Sequence, residues 1–588
     1  MNVVSPVRPL RQRVRAVAAT LLAGAFLVAP TAPAQTIPAL LPEGVDAALG
    51  LLDVRAVEDR LAPFLDEAER LDLVAALTAV LPGAGIDPAA GASGLPAPFD
   101  ELELLDLLGS EAWAFVSSSA FDPLPSLTLA ARVEPATQEA FASAIADAVS
   151  RPGTRALEEA GLPFFTYVPE SGTADGLGVP LAYAQAGDLL AVSSDPEVIR
   201  FMLRAIAGAD ATTLADRPAW ADLAALGPAE VVGFLDPLPL TRSLEPLAAS
   251  SGADALLRRV QDALSTAGPS VGVLRADDEG LLSIGRQRPD ASGPDGRLYE
   301  LLSQGIAPST EVLRFAPAGA PAVSAGTADL PGWWAWLDDV MRSAADLGIP
   351  SAREAAELFD LDVDALLLDW AGDGFVQIQT APLAAVEPAL ADAPLLGEQV
   401  VLVRSRDDAA ARAGLDAALE QLGATLAPFL DPSGQGVRTP TRVRVADLPV
   451  ARLELSDTLT IDVAVVDGWA LLSGSPSATE AVLNAYVSAG GAPSLAALTT
   501  ELPEAPRAWS LSAAPSSDGA TADALIGQLQ LLAGLGGASM LDFAAVDRAA
   551  EAIGAYAAFL AERIGPSVAS TVWEDGSLVT RQRIYLAW

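Results

Sequence analysis

The sequence predicts an α+β protein of two tandem, similar lobes, each a largely antiparallel sheet packed with helices. Three observations predict it. The second half repeats the first: Gly268-Pro269-Ser270-Val271 opens a stretch ending Arg286-Gln287-Arg288, and Gly565-Pro566-Ser567-Val568 opens one ending Arg581-Gln582-Arg583. Earlier landmarks recur in the same order, and the offsets between matched points grow along the chain, 372 − 109 = 263, 476 − 196 = 280 and 565 − 268 = 297. Growth of this kind means insertions in loops of the second copy, such as the one from Asp431 to Gly436. Each copy also mixes short alternating runs with helical periodicity, and hairpins dominate.

The elements follow in order. Residues 36–108 are mainly helical in pattern, with Val54, Val57, Leu61, Phe64 and Leu65 spaced along one face between acidic residues, and a Pro/Gly/Ala-rich loop at 82–98. Leu104 to Gly109 leads into a strand over 112–117, and Leu366 to Gly372 into one over 375–379. A strand over 126–133 precedes a helix from Pro135, whose missing N–H costs nothing in a first turn. A strand over 399–403 precedes a helix from Asp407. Phe141, Ile145 and Val149 share a face of the first helix, and Leu415, Leu419 and Leu422 a face of the second.

Two further strands precede a buried strand over 189–194 and then Asp195-Pro196-Glu197; the second copy has 469–474 and then Ser475-Pro476-Ser477. Asp195 and Ser475 are N-cap residues, with Pro at the first helical position and Glu197 at the positive end of the helix dipole. Val198, Phe201, Met202 and Ile206 then face the core. Short segments around Leu214 and Leu495 follow, then strands over 231–235 and 509–513, then a long helix running to Gly268 or Gly565. The closing hairpins turn on Asp277-Asp278-Glu279-Gly280 and on Glu574-Asp575-Gly576. Pro289 to Gly296 links the copies, so the predicted divisions are 1–34, 35–290 and 297–588.

Composition excludes much chemistry. The chain has no Cys and no His, and all 35 basic residues are Arg. Ser–His–Asp and Cys–His pairs, Cys/His zinc sites, Walker A lysines and Schiff bases are therefore ruled out. What remains is carboxylate, hydroxyl and Arg chemistry, which leaves room for a hard metal such as Ca²⁺ or Mg²⁺, though no cofactor is expected. A net charge of −41 with no basic cluster beyond the first fifteen residues argues against nucleic acid. The acidity fits either salt adaptation or the composition of a GC-rich genome. With 51% hydrophobic residues the chain has ample material for a core.

The N-terminus reads as a signal peptide. Arg8, Arg11, Arg13 and Arg15 precede an apolar run over 16–28, and Ala32-Pro33-Ala34 offers cleavage before Gln35. Cleavage would leave a charge of −41 − 4 = −45. The expected location is the periplasm, the cell envelope or the exterior, with no transmembrane span remaining; 524–541 is interrupted by Gln528 and Gln530 and reads as a core helix. The terminus Ile584-Tyr585-Leu586-Ala587-Trp588 reads as a final sheet strand rather than the end of a membrane barrel.

Leu107 to Val116 (LLG-x-E-A-x-A-x-V), Leu190 to Arg200 (L-x-x-S-S-D-P-E-x-x-R) and Leu214 to Trp220 (L-A-D-R-P-A-W) resemble a family of exported bacterial proteins of unknown function. The resemblance implies export and covers most of the mature chain. It implies no activity and no functional residue.

Four groups remain as chemical candidates. Asp277, Asp278 and Glu279 form an acidic hairpin turn whose acidity recurs in the second copy, which suggests weak Ca²⁺ binding. Asp360, Asp362 and Asp364 begin like a Ca²⁺ loop, but Ala365 and Ala371 stand where that loop needs Gly and Glu. Trp333, Trp334 and Trp336 offer a carbohydrate or partner platform, with core packing as the simpler reading. Arg286/Arg288 and Arg581/Arg583 lie on one strand face, where pairing with carboxylates is the default over anion binding. The expectation is a non-enzymatic envelope protein with a structural or binding role and an envelope partner. The alternatives are a carboxylate hydrolase using Ca²⁺ or Mg²⁺, and a protein holding a ligand between its lobes.

Overall fold

The computed structural model describes residues 36–72, 111–119, 122–133, 135, 138–139, 153–167, 181–209, 212–293, 295–327, 329–358, 361–381, 398–430, 439–455, 460–514 and 543–587. The signal segment, the 82–98 loop, Phe141, Ile145, Val149, Asp360 and the insertion from Asp431 to Gly436 lie outside these residues.

Among the described residues twenty strands form one sheet. Those of the first half are β1 Ala47–Leu51, β2 Glu111–Ser119, β3 Asp122–Arg132, β4 Thr154–Glu159, β5 Leu162–Tyr167, β6 Leu181–Ala186, β7 Leu189–Ser193, β8 Val231–Leu235, β9 Ser270–Asp277 and β10 Gly280–Gln287. Those of the second are β11 Ala322–Thr327, β12 Ala371–Gln379, β13 Gln399–Ser405, β14 Thr441–Val445, β15 Leu448–Glu454, β16 Thr460–Val466, β17 Trp469–Ser473, β18 Ala508–Ser512, β19 Ile564–Glu574 and β20 Ser577–Leu586. All pairings are antiparallel. The first half runs β4-β5-β6-β7-β3-β2-β1-β8-β9-β10. The second runs β14-β15-β16-β17-β13-β12-β11-β18-β19-β20. β10 pairs with β20 from Gly280↔Tyr585 to Gln287↔Leu578, which makes the sheet continuous. The fold is therefore α+β with a largely antiparallel sheet.

The strand registers return the offsets seen in the sequence at three points but not their steady growth, since the turns give 448 − 162 = 286 for β5 and β15, ahead of 280 for β7 and β17. Ala47 faces Val116 and Ala322 faces Gln379, and 379 − 116 = 263. Thr128 faces Ser193 and Val400 faces Ser473, and 473 − 193 = 280. Asp277 faces Gly280 and Glu574 faces Ser577, and 574 − 277 = 297. Counted from these turns, Arg286 corresponds to Arg583 (583 − 286 = 297). The two Arg-Gln-Arg tripeptides are thus two residues out of structural register, and matching them by sequence alone misaligns the closing strands.

Helices cover the sheet. Pro196–Ile206 starts as the sequence indicates: the Asp195 carboxylate accepts from the Glu197 N–H at 2.9 Å. It buries Val198, Ile199, Met202 and Leu203 in the first core and lies over β4, β5, β6 and β7. Its counterpart Pro476–Val487, capped by Ser475, buries Val482 and Leu483 in the second core. Asp408–Leu430 seats Leu415 and Leu419 on β15 and β16 residues in a third cluster. The helix before Gly268 is two pieces rather than one. Glu245–Ser251 stops at Gly252, whose left-handed φ of 78° ends it, and Asp254–Ala267 begins afresh.

The link between halves is also tighter than Pro/Gly content suggests. Asp290 N–H bonds Thr266 O, Gly293 N–H bonds Asp290 O, and Asp295 is buried. The central strands β1 and β11 are absent from the sequence-based reading, and packing explains them. Gly50 sits opposite Trp113, where an added Cβ would lie 2.6 Å from the indole. Gly326 sits opposite Phe375, where a Cβ would lie 2.8 Å from the ring. Each strand must be small where a neighbour's aromatic ring crosses it, so Gly stands there, and β1 carries none of the β-branched residues that announce a strand.

Candidate functional site

Two regions gather the sequence-predicted residues. The first is the β10–β20 seam. The Asp277 carboxylate folds back over its own turn, accepting from the N–H groups of Glu279 at 3.0 Å and Gly280 at 3.1 Å. β20 brings Arg583 alongside, and its guanidinium donates to both Asp277 oxygens at 3.0 and 2.9 Å and to Glu279 at 3.0 Å. Asp278 sits at the tip of the turn. The second acidic turn repeats the device: Arg581 donates to both oxygens of Glu574 at 3.0 Å. Arg286 and Arg288 both reach Asp222, at 3.5 and 2.6 Å. All four hairpin arginines are thus held by carboxylates. A cation at Asp277 and Glu279 would have to displace Arg583. No group of three or more acidic side chains suited to a metal occurs among the described residues.

The Arg583 guanidinium beside Asp277 holds that carboxyl below the usual aspartate range, with burial opposing and the turn N–H groups assisting. A depressed folded-state pKa stabilises the fold above the unfolded value, and that stability is lost as pH falls through the folded value. Replacing Asp277 with Asn should therefore flatten the acid limb of the stability profile below about pH 4. Melting temperatures of both proteins across that range check this; parallel acid limbs would sink it.

The second region is the helix Leu330–Arg342. Asp338 faces inward and anchors the segment after this helix: it accepts from the Arg353 N–H at 2.8 Å and pairs with Arg342. Burial pushes its carboxyl up, but the Arg353 N–H, Ser351 and the two guanidiniums outweigh burial and leave it low. Trp336 also turns inward, with Arg259 5.9 Å from its ring and its indole N–H buried without a hydrogen-bond partner. Trp333 meets Trp336 edge-to-face at 5.6 Å, yet it remains 43% exposed, and Leu337, one turn on, is 39% exposed. Leu347 and Ile349 in the turn after the helix and Leu358 at the end of Ala352–Leu358 are exposed as well, Leu358 to 74%. The Trp cluster is therefore graded, with Trp333 exposed and Trp334 and Trp336 half-buried.

The remaining candidates are structural. Asp362 accepts from the Ala365 N–H at 3.2 Å and Asp364 pairs with Arg353 at 3.5 Å. Within the family-like motifs, Arg217 donates to the Val45 carbonyl at 2.9 Å and lies 4.7 Å over the Phe234 ring, while Trp220 packs against Trp113 and Phe234. Two groupings escaped sequence reasoning. Arg452 and Asp462 form a buried pair across β15 and β16, at 2.7 and 2.8 Å. Ser475 and Ser477 both donate to Glu398, at 2.9 and 3.1 Å. Ser475 Oγ also accepts from the Ala478 N–H at 3.3 Å, so it works as a cap. The Arg452–Asp462 pair was legible as opposite charges on two adjacent strand patterns, but only once their register is known.

Comparison with family models, curated proteins and solved structures finds no match for this chain.

Proposed function

We propose that the chain is an exported, non-enzymatic envelope protein with a structural or binding role, built from two copies of one unit and related to the exported family its motifs resemble. The basic, apolar and Ala-x-Ala sequence of its first 34 residues supports export. The observation that carries the binding role is the exposed apolar set Trp333, Leu337, Leu347, Ile349 and Leu358 on one helix and the segment after it. Large apolar side chains grouped on a surface mark interaction sites more often than single ones do. The chain as a whole carries −41. The partner this surface fits is an envelope protein presenting an apolar patch rimmed by Lys or Arg.

The hydrolase reading needs a carboxyl held protonated near neutrality. Among the described carboxyls with a clear shift, Glu67, Asp216, Asp277, Asp290 and Asp338, every shift is downward. This favours ion pairing and capping over acid–base work.

A photo-crosslinking residue at position 333 or 337, in cells exporting the chain, should yield one discrete adduct. The same residue at Val487, exposed on a different helix, should not. Absence of an adduct at both apolar positions, or the same products at all three, would overturn the reading.

A further inference from the structure

The sheet has two ends, and their chemistry differs. Among the described residues β4 pairs only with β5, and β14 only with β15, so each presents a row of backbone N–H and C=O groups outward. The two strands are structural counterparts, since the turns after them place Leu162 and Leu448 alike and 448 − 162 = 286. Leu157 of β4 and Val443 of β14, 286 apart, both pack toward their cores, on the face covered by Pro196–Ile206 and Pro476–Val487. The side chains pointing the other way are Ala156 and Glu158 on β4, and Arg442 and Arg444 on β14. Arg442 and Arg444 are 64% and 74% exposed, in a chain whose net charge is −41.

We propose that copies of this chain associate head to tail, β14 of one pairing antiparallel with β4 of the next, so that the sheet continues from molecule to molecule. Three features carry this. In either register that sets Leu157 opposite Val443 or Val445, Glu158 falls opposite Arg442 (158 + 442 = 157 + 443) or Arg444 (158 + 444 = 157 + 445). Pairing β14 against β14 is disfavoured, because with Val443 opposite itself Arg442 falls opposite Arg444 (442 + 444 = 443 + 443). The chain already contains a joint of this kind: β10 and β20 are also counterparts, and they meet antiparallel with the covered faces aligned. Arg442 and Arg444 hold Asp416 and Asp447 within the chain, but these are exposed pairs that cost little to give up. An interface between two different edges is heterologous and yields a ring or an open chain of molecules. Association through these edges is independent of any partner at the Leu330–Arg342 helix.

Sedimentation velocity over a concentration series tests it. The unmodified chain should form species larger than monomer that grow with concentration. Arg442→Glu/Arg444→Glu and, separately, Glu158→Arg should each lose them while keeping the circular dichroism of the parent. Mixing the two variants should restore association, since the intact β14 of one meets the intact β4 of the other. A parent that stays monomeric throughout, variants that associate like the parent, or a mixture that remains monomeric would overturn the proposal.

Discussion

Replacing Asp462 with Ala should lower stability by about 3–5 kcal/mol, because it strands a buried guanidinium. Asp462 is fully buried, with 0% of its side chain exposed, and Arg452 is 17% exposed. Its two oxygens take the Nε and one terminal nitrogen of Arg452 at 2.7 and 2.8 Å, and the strands place the two residues directly opposite each other. The Asp462 hydrogen bonds hold the Arg452 guanidinium more firmly protonated, against the opposing effect of burial. A guanidinium is so basic on its own that it keeps its charge when its partner is removed. The first half shows what the fold does without this pair: the equivalent positions, 452 − 286 = 166 and 462 − 280 = 182, are Thr166 opposite Ala182. Arg452→Thr/Asp462→Ala should thus recover most of what Asp462→Ala loses, because it removes both charges and leaves a pairing the other half already uses. Urea denaturation of the two variants and the parent checks both statements. The idea fails if Asp462→Ala stays within about 0.5 kcal/mol of the parent, or if the double variant is no more stable than Asp462→Ala.

That pair also marks where sequence reading stops. Local signals were legible wherever one residue type has one physical reason to be there. Asp195-Pro196 and Ser475-Pro476 start helices as caps. Leu214 and Leu495 anchor short segments in the two cores. Leu415 and Leu419 face inward together. The strand order follows the repeated landmarks because matched segments solve the same packing problem. Long-range matters were not legible. β1 and β11 look like loops because their smallness answers to Trp113 and Phe375 on neighbouring strands. Nor does the sequence reveal that β10 and β20 are neighbours, the adjacency that delivers Arg583 to Asp277. Trp333 and Trp336 share a helix face in projection, yet the crossing of Asp254–Ala267 covers only Trp336.

Removing the guanidinium of Arg259 should have the next largest effect, about 3 kcal/mol, because it leaves a buried carboxylate without its partner. Arg259 stands on Asp254–Ala267 in the first half. It donates through both terminal nitrogens to Asp295, at 2.6 Å each, and through Nε to Asp339 at 2.7 Å. Asp295 is buried in the turn joining the halves, and its N–H reaches Thr266 at 3.3 Å. Asp339 belongs to Leu330–Arg342 in the second half. One planar fork thus fastens three segments, and Trp336 lies beneath it. Lys carries the same charge but cannot reproduce the two parallel bonds and the third from Nε, so Arg259→Lys should regain little of the loss. Arg259→Met/Asp295→Leu, which removes both charges and keeps bulk, should regain more. Hydrogen exchange localises the effect: Arg259→Ala should speed exchange in 289–296 and 330–342 well before it does in β1 and β2. Uniform loss of protection across the sheet would mean that Arg259 supports only its own helix, and full rescue by Lys would mean that charge rather than geometry holds the two halves together.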